Sequence, residues 1–170
     1  DGDQDIYVIR KFSINWLLEN QTLTGEPGNV VYNSNPNPLF LEVSQSLNLD
    51  DQNVRTSGSL GYGAAWGDYD NDGDPDLLIT GQTADPNSSV SRLFQNDPIG
   101  RLTEVTTANA IRGIKAGASL FRDLDSDGDL DLIMTGWNKI EGKLITLLFE
   151  NEPLGSFTPY QDQIDFAVAY

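Results

Sequence analysis

The sequence contains no cysteine and no histidine. The first absence excludes zinc ribbons, disulfide scaffolds and thiol catalysis. The second removes Ser-His-Asp and Cys-His mechanisms, histidine metal ligands and the usual general base at neutral pH. Basic residues are scarce: 10 Lys and Arg stand against 26 Asp and Glu, a formal net charge of −16. A surface that negative repels phosphate backbones and anionic lipid, so neither nucleic acid nor a membrane surface is an expected partner. No run of about 18 apolar residues occurs, so no membrane span is expected. A basic segment leading into an apolar one is also lacking, so any signal peptide would lie upstream or have been removed. What the chain does have is 170 residues, 38% of them hydrophobic. That is enough for one packed domain rather than a disordered chain. Its chemistry is left to carboxylates and a few Lys, Arg and Tyr side chains.

The acids are not scattered. Thirteen of the 26 fall in three short windows: Asp1-Gly-Asp-Gln-Asp5, Asp68-Tyr-Asp-Asn-Asp-Gly-Asp-Pro-Asp76 and Asp123-Leu-Asp-Ser-Asp-Gly-Asp-Leu-Asp131. The last two share the pattern D-x-D-x-D-G-D-x-D. Alternating Asp with Gly at the sixth position is calcium-loop chemistry, because a hard cation takes roughly six to eight oxygens and short carboxylates on a tight turn can converge on it. The Gly permits the positive φ of the turn. Without an ion, five neighbouring carboxylates would repel one another. By loop analogy the side-chain ligands are Asp68, Asp70, Asp72 and Asp76, with Asp74 through its carbonyl. In the second loop they are Asp123, Asp125, Asp127 and Asp131, with Asp129 through its carbonyl. Magnesium fits less well, since it prefers a smaller, water-rich octahedral shell. The blander alternative, a merely solvated acidic turn, is hard to reconcile with two full copies and a partial third. An EF-hand fails on two counts. Position 12 is Ile79 or Met134 rather than Glu, and each loop leads into a branched apolar run that reads as a strand, not a helix.

The loops belong to a longer repeat. Asp68 to Asp123 spans 55 residues, and so does Phe94 to Phe149, within Arg92-Leu-Phe-Gln-Asn-Asp-Pro-Ile-Gly100 and Leu147-Leu-Phe-Glu-Asn-Glu-Pro-Leu-Gly155. An earlier copy reads Val31-Tyr-Asn-Ser-Asn-Pro36, with Tyr32 in the place of Phe94. That alignment puts a 9-residue insertion in the first copy, within Ser13–Asn29. Each unit reads as four short strands. A small-residue strand (61–66 or 115–121) precedes the acidic loop. A buried run (77–80 or 132–135), a strand holding Leu93-Phe94 or Leu148-Phe149, and a last strand (102–105 or 157–160) follow it. Turn residues separate them, and no amphipathic helix of ordinary length is evident. Four strands in about 50 residues, repeated, is the signature of a β-propeller blade. Small Gly63-Ala64-Ala65 and Ala116-Gly117-Ala118-Ser119 suit the crowded inner strand of a tapering wheel. A solenoid or an open sandwich is the competing architecture.

Ala64-Ala-Trp-Gly-Asp-Tyr-Asp-Asn-Asp-Gly-Asp-Pro-Asp-Leu-Leu-Ile-Thr-Gly81 followed by Leu93-Phe-Gln-Asn96 resembles the FG-GAP/VCBS repeat of integrin-type β-propellers. Ala118–Gly136 with Leu148-Phe-Glu-Asn151 resembles it as well. The likeness is close over most of 60–160 and loose over 1–45. It implies an extracellular, calcium-stabilised, all-β propeller serving adhesion, ligand binding or scaffolding. It also implies that the calcium loops join strands one and two on one face, with ligands taken on the opposite face.

On this reading the chain is an all-β partial propeller of about three blades. Residues 1–59 form an incomplete first blade, 60–114 a second, 115–163 a third, and 164–170 the inner strand of a next one. Asp1, Asp3 and Asp5 align with the last half of a loop, a partial third site that needs ligands from elsewhere. The chain is therefore expected to be a fragment, its partners being the remaining blades of the parent chain or other copies. Two full Ca2+ sites and one partial site are expected. The leading expectation is a secreted or cell-surface, non-catalytic module. Its alternatives are a lectin or the propeller domain of a carbohydrate-active enzyme, and a structural subunit of a larger extracellular assembly. Trp16, in the supposed insertion, and Trp137, after Thr135-Gly136, map to the ligand face, where their rings could stack on sugars. Packing of its own insertion is the alternative role for Trp16. Trp66, beside the loop, reads as structural. The triplets Asn20-Gln-Thr22 and Asn87-Ser-Ser89 are weak glycosylation signals. The carboxylates outside the loops form no recognisable catalytic pair.

Overall fold

The computed structural model describes residues 63–82, 89–96, 102–105, 111–138 and 141–160, together with the strand backbone at 6–8, 16–20, 23–24, 31–32 and 40–42. Every regular element among the described residues is a β-strand. The first stretch holds β1 (Ile6–Val8), β2 (Trp16–Asn20), β3 (Leu23–Thr24), β4 (Val31–Tyr32) and β5 (Phe40–Glu42). The second holds β6 (Gly63–Gly67), β7 (Asp76–Gln82), β8 (Ser89–Asn96) and β9 (Leu102–Glu104). The third holds β10 (Lys115–Arg122), β11 (Asp131–Asn138), β12 (Lys143–Asn151) and β13 (Phe157–Pro159).

Two four-stranded antiparallel sheets result, β6-β7-β8-β9 and β10-β11-β12-β13, each in simple up-and-down order. This is the architecture of propeller blades, and the fold is all-β. The registers repeat at the same spacing as the sequence. Leu77 pairs with Phe94 in one sheet, and Leu132 with Phe149 in the next. Strand β12 alternates buried and half-exposed residues from Ile145 to Asn151, the period-two pattern of a sheet with one face covered. By contrast β7 is buried from Asp76 through Thr80, which is why its apolar run is nearly continuous.

The contrast has a packing cause. The second and third sheets stack face to face, with β10 lying against β6 and β7. Between them sits one apolar cluster. Ala65, Leu78 and Leu93 come from the second sheet, Phe121, Leu132, Met134, Ile145, Leu147, Phe149 and Phe157 from the third, and Ile111 and Ile114 from the segment that leads into β10. Burying each large side chain contributes about 1.5–3 kcal/mol, so this seam dominates the stability of the pair. Gly67 is part of the fit, because a Cβ there would come within 2.7 Å of Phe121. On the far face of the third sheet the same positions are open. Ala65 is 8% exposed but its counterpart Leu120 is 53% exposed, and buried Thr80 corresponds to exposed Thr135.

The first copy departs from the expected alignment. Ile6 pairs with Leu18, Tyr7 with Leu17 and Val8 with Trp16, and β2 then pairs with β5 through Leu18 and Glu42. Leu18, not Tyr32, therefore holds the place of Phe94, and Leu17-Leu-Glu-Asn20 is the counterpart of Leu148-Phe-Glu-Asn151. The extra residues follow Asn20, overlapping the expected span 13–29 in its later part and running past it, and they include the two-stranded β3–β4 hairpin. Strand pairing follows the backbone, and an aliphatic Leu fills the aromatic position. The expected inner strand at 164–170 and the partial loop of Asp1, Asp3 and Asp5 lie outside the described residues.

Candidate metal centres

Each acidic loop joins the first strand of a sheet to the second: 68–75 links β6 to β7, and 123–130 links β10 to β11. Both turn through Gly at positive φ, 100° at Gly73 and 101° at Gly128, a region open to Gly and strained for any other residue. Asn71 and Ser126 also take positive φ, at 58° and 70°. These reversals fold the chain back so that alternate carboxylates point into the turn.

Within each loop three carboxylates converge. Asp68, Asp70 and Asp76 offer oxygens within 4.8 Å of one another, and so do Asp123, Asp125 and Asp131. Positions one, three and nine of the pattern are thus brought together. The fifth-position carboxylates are not in these groups. Asp72 Oδ1 instead accepts from Asp74 N at 2.9 Å, and Asp127 Oδ1 from Asp129 N at 2.9 Å. The loop backbone is pinned in the same manner elsewhere. Asp68 accepts from Asp72 N and Gly73 N, both at 3.0 Å, and Asp123 accepts from Ser126 N at 2.7 Å.

The ninth-position carboxylates anchor each loop to its sheet. Asp76 is fully buried and Asp131 is 2% exposed. Asp76 Oδ2 accepts from Tyr69 N at 3.0 Å and its Oδ1 from Asn96 N at 2.8 Å. Asp131 repeats this with Leu124 N at 2.9 Å and Asn151 N at 3.0 Å. Each carboxylate oxygen has a second lone pair to offer.

Electrostatics make such a cluster costly without a cation. At the 4.8 Å limit of the groups, two full charges repel by about 3 kcal/mol with an effective dielectric of about 20. Burial pushes the Asp76 carboxyl up to about 7, with the Asp70 and Asp72 charges adding to the rise and the two backbone donors opposing it. Burial and the neighbouring Asp72 raise Asp70 as well. The Tyr69 hydroxyl is pushed up to about 12 by burial, then by Asp76, Asp70 and Asp72. The donor set consists of hard carboxylate oxygens alone, which suits a hard divalent cation. Both clusters can hold a metal ion.

Trp137 lies within β11, near the end of the sheet remote from the acidic loop, paired with Lys115 and Leu144. It shares the open sheet face with Ile133 and Thr135 rather than projecting from a loop. Trp16 heads β2, paired with Val8, so it belongs to a strand and not to an insertion. Trp66 is 37% exposed. Sequence reasoning passed over Tyr69, Gln95, Asn96 and Asn151. Gln95 Nε2 donates to Asp70 Oδ2 at 2.5 Å. The recurrence of Asn twenty residues after each ninth-position Asp was the available signal for the two asparagines.

A sheet repeat whose first turn gathers aspartates around a buried one defines a class: an all-β repeat protein with paired acidic loops able to hold a cation. Residues 68–134 match the family model described as FG-GAP-like repeat, a stretch that runs from the first acidic loop through the rest of its sheet and the second loop into β11. No curated protein and no solved structure matches the chain at a significant level. No helix among the described residues is long and apolar enough to cross a membrane.

Proposed function

We propose that this chain is part of an extracellular, calcium-stabilised β-propeller whose role is non-catalytic: ligand binding, adhesion or scaffolding. The observation that carries the reading is the convergence of Asp68, Asp70 and Asp76, repeated in Asp123, Asp125 and Asp131. Calcium fits the all-oxygen donor set and the loop better than magnesium, which demands a tighter octahedral shell. Asp72 and Asp127, with the carbonyls of Asp74 and Asp129, complete the coordination by a small movement of each loop. Extracellular calcium keeps modest-affinity sites filled, and FG-GAP-like repeats are typically extracellular and non-catalytic. The test is equilibrium calcium binding by calorimetry. Saturable uptake at the two loops, lost one ion at a time in Asp70→Asn and Asp125→Asn, supports the reading, and no uptake at millimolar calcium contradicts it.

The partner of the open face of the third sheet is a further blade of the same parent chain. Leu120, Ile133 and Leu148 form one cross-strand row there, the counterpart of Ala65, Leu78 and Leu93, which a blade covers one repeat earlier. Sedimentation of the chain alone as a monomer agrees with this. A dimer lost on Leu120→Lys would show that a second copy takes the face instead.

A further inference from the structure

The two acidic loops are joined across the sheet interface by a short hydrogen-bond path through Asn151. This residue ends β12 and is 1% exposed. Its Nδ2 donates to Tyr69 O of the neighbouring loop at 2.7 Å and to Leu130 O of its own loop at 3.1 Å. Its backbone N–H donates to Asp131 Oδ1 at 3.0 Å, and its Oδ1 accepts from Gly155 N at 2.8 Å. The amide is therefore held on both sides and has a single useful orientation. From Tyr69 the path continues, because Tyr69 N donates to Asp76 Oδ2. Only Asn151 and Tyr69 separate the buried carboxylate of one loop from that of the other. A second link lies on the surface, where Asn71 Nδ2 donates to Asp129 Oδ1 at 2.7 Å.

We propose that Asn151 is a positioning residue for the site of Asp68, Asp70 and Asp76, acting from the neighbouring sheet, and that through it the two loops take up calcium cooperatively. The proposal rests on the calcium reading above. Asn96 shows what an asparagine at this position does for its own loop. It donates from its backbone to Asp76 and from Nδ2 to Pro75 O, matching the bonds of Asn151 to Asp131 and Leu130 O. The bond to Tyr69 O is an additional one, made to a different loop. An ion in either loop fixes its ninth-position carboxylate, and with it one end of the Asn151–Tyr69 path. The other loop then has less freedom left to lose when its own ion arrives, which gives positive coupling without any new contact. Such coupling is reciprocal between the sites.

The test uses calorimetric calcium titrations of the intact chain, of Asp70→Asn, which leaves only the second loop, and of Asp125→Asn, which leaves only the first. Each remaining loop is expected to bind calcium at least roughly fivefold more weakly than in the intact chain, by equal factors in both directions. Asn151→Ser, which keeps the backbone donor but cannot reach Tyr69 O, is expected to bring that factor down towards one, with only the Asn71–Asp129 bond left to join the loops. A nuclear magnetic resonance readout avoids touching Asn151: in Asp70→Asn, filling the second loop should shift the Tyr69 and Asp76 amide resonances. Single-loop variants that bind with intact affinity, or a Tyr69 amide that does not move, would overturn the coupling and leave the calcium reading standing. No calcium uptake by any of the proteins would overturn the calcium reading itself.

Discussion

Asp70 and Asp125 illustrate how one side chain can stabilise or destabilise according to what surrounds it. Each is placed beside two like charges, so replacing it by the isosteric Asn removes repulsion in the ion-free protein and removes a ligand in the calcium-bound one. Asp70→Asn is expected to raise the melting temperature in chelator by a few degrees and to lower it in calcium. A shift of about 1 kcal/mol corresponds to roughly 2–4 °C in a chain of this size. Differential scanning fluorimetry under both conditions checks the inversion, and a change of the same sign in both would contradict it. At this scale the alternating Asp residues on a Gly turn were legible as one set, and the structure brings those at the first, third and ninth positions together. Asp72 and Asp127 lie outside those groups and bond their own backbone two residues on, a local use open to any Asp that the sequence pattern does not reveal. Tyr69 was invisible as a participant because it acts through its backbone, which carries no residue signature.

The acidic turns and the strands that follow were legible as elements because their residues allow little else. Branched apolar runs bounded by Gly and Asp cannot be amphipathic helices, and they became β7 and β11. Strand β2, the counterpart of β8 and β12, was not legible. Leu17-Leu-Glu-Asn20 lacks the aromatic ring that marks Phe94 and Phe149, and only the pairing of Ile6 with Leu18 reveals its place. Backbone conformation yields a prediction at this scale. Gly128 turns at φ 101° with no atom near a prospective Cβ, so Gly128→Ala costs conformational strain alone. A loss of more than about 1 kcal/mol is expected, measurable by urea denaturation with and without calcium. Packing yields another. Leu78 is fully buried in the seam between sheets, and Leu78→Ala should cost about 2–5 kcal/mol. Its counterpart Ile133, half-exposed on the open face, should cost clearly less when changed to Ala. Equal losses in the two variants would show that the face of Ile133 is covered in solution.

At the scale of the described sheets, β6–β9 and β10–β13 each supply one apolar face to the other and one acidic turn to a common edge. The neighbouring turns are bonded directly through Asn71 and Asp129 and indirectly through Asn151. A chain carrying 26 acids against 10 bases holds ten of those acids in these two turns, so its stability should depend on a divalent ion. Binding that favours the folded state adds about 2.7 kcal/mol per site at a hundredfold excess of ligand over Kd. The direct measurement is the thermal unfolding curve of the intact chain in millimolar calcium, in equal magnesium and in excess chelator. The expected result is a transition several degrees higher in calcium than in chelator, with magnesium giving a smaller shift. Superimposable curves in all three would contradict the claim that the aspartate turns are cation sites.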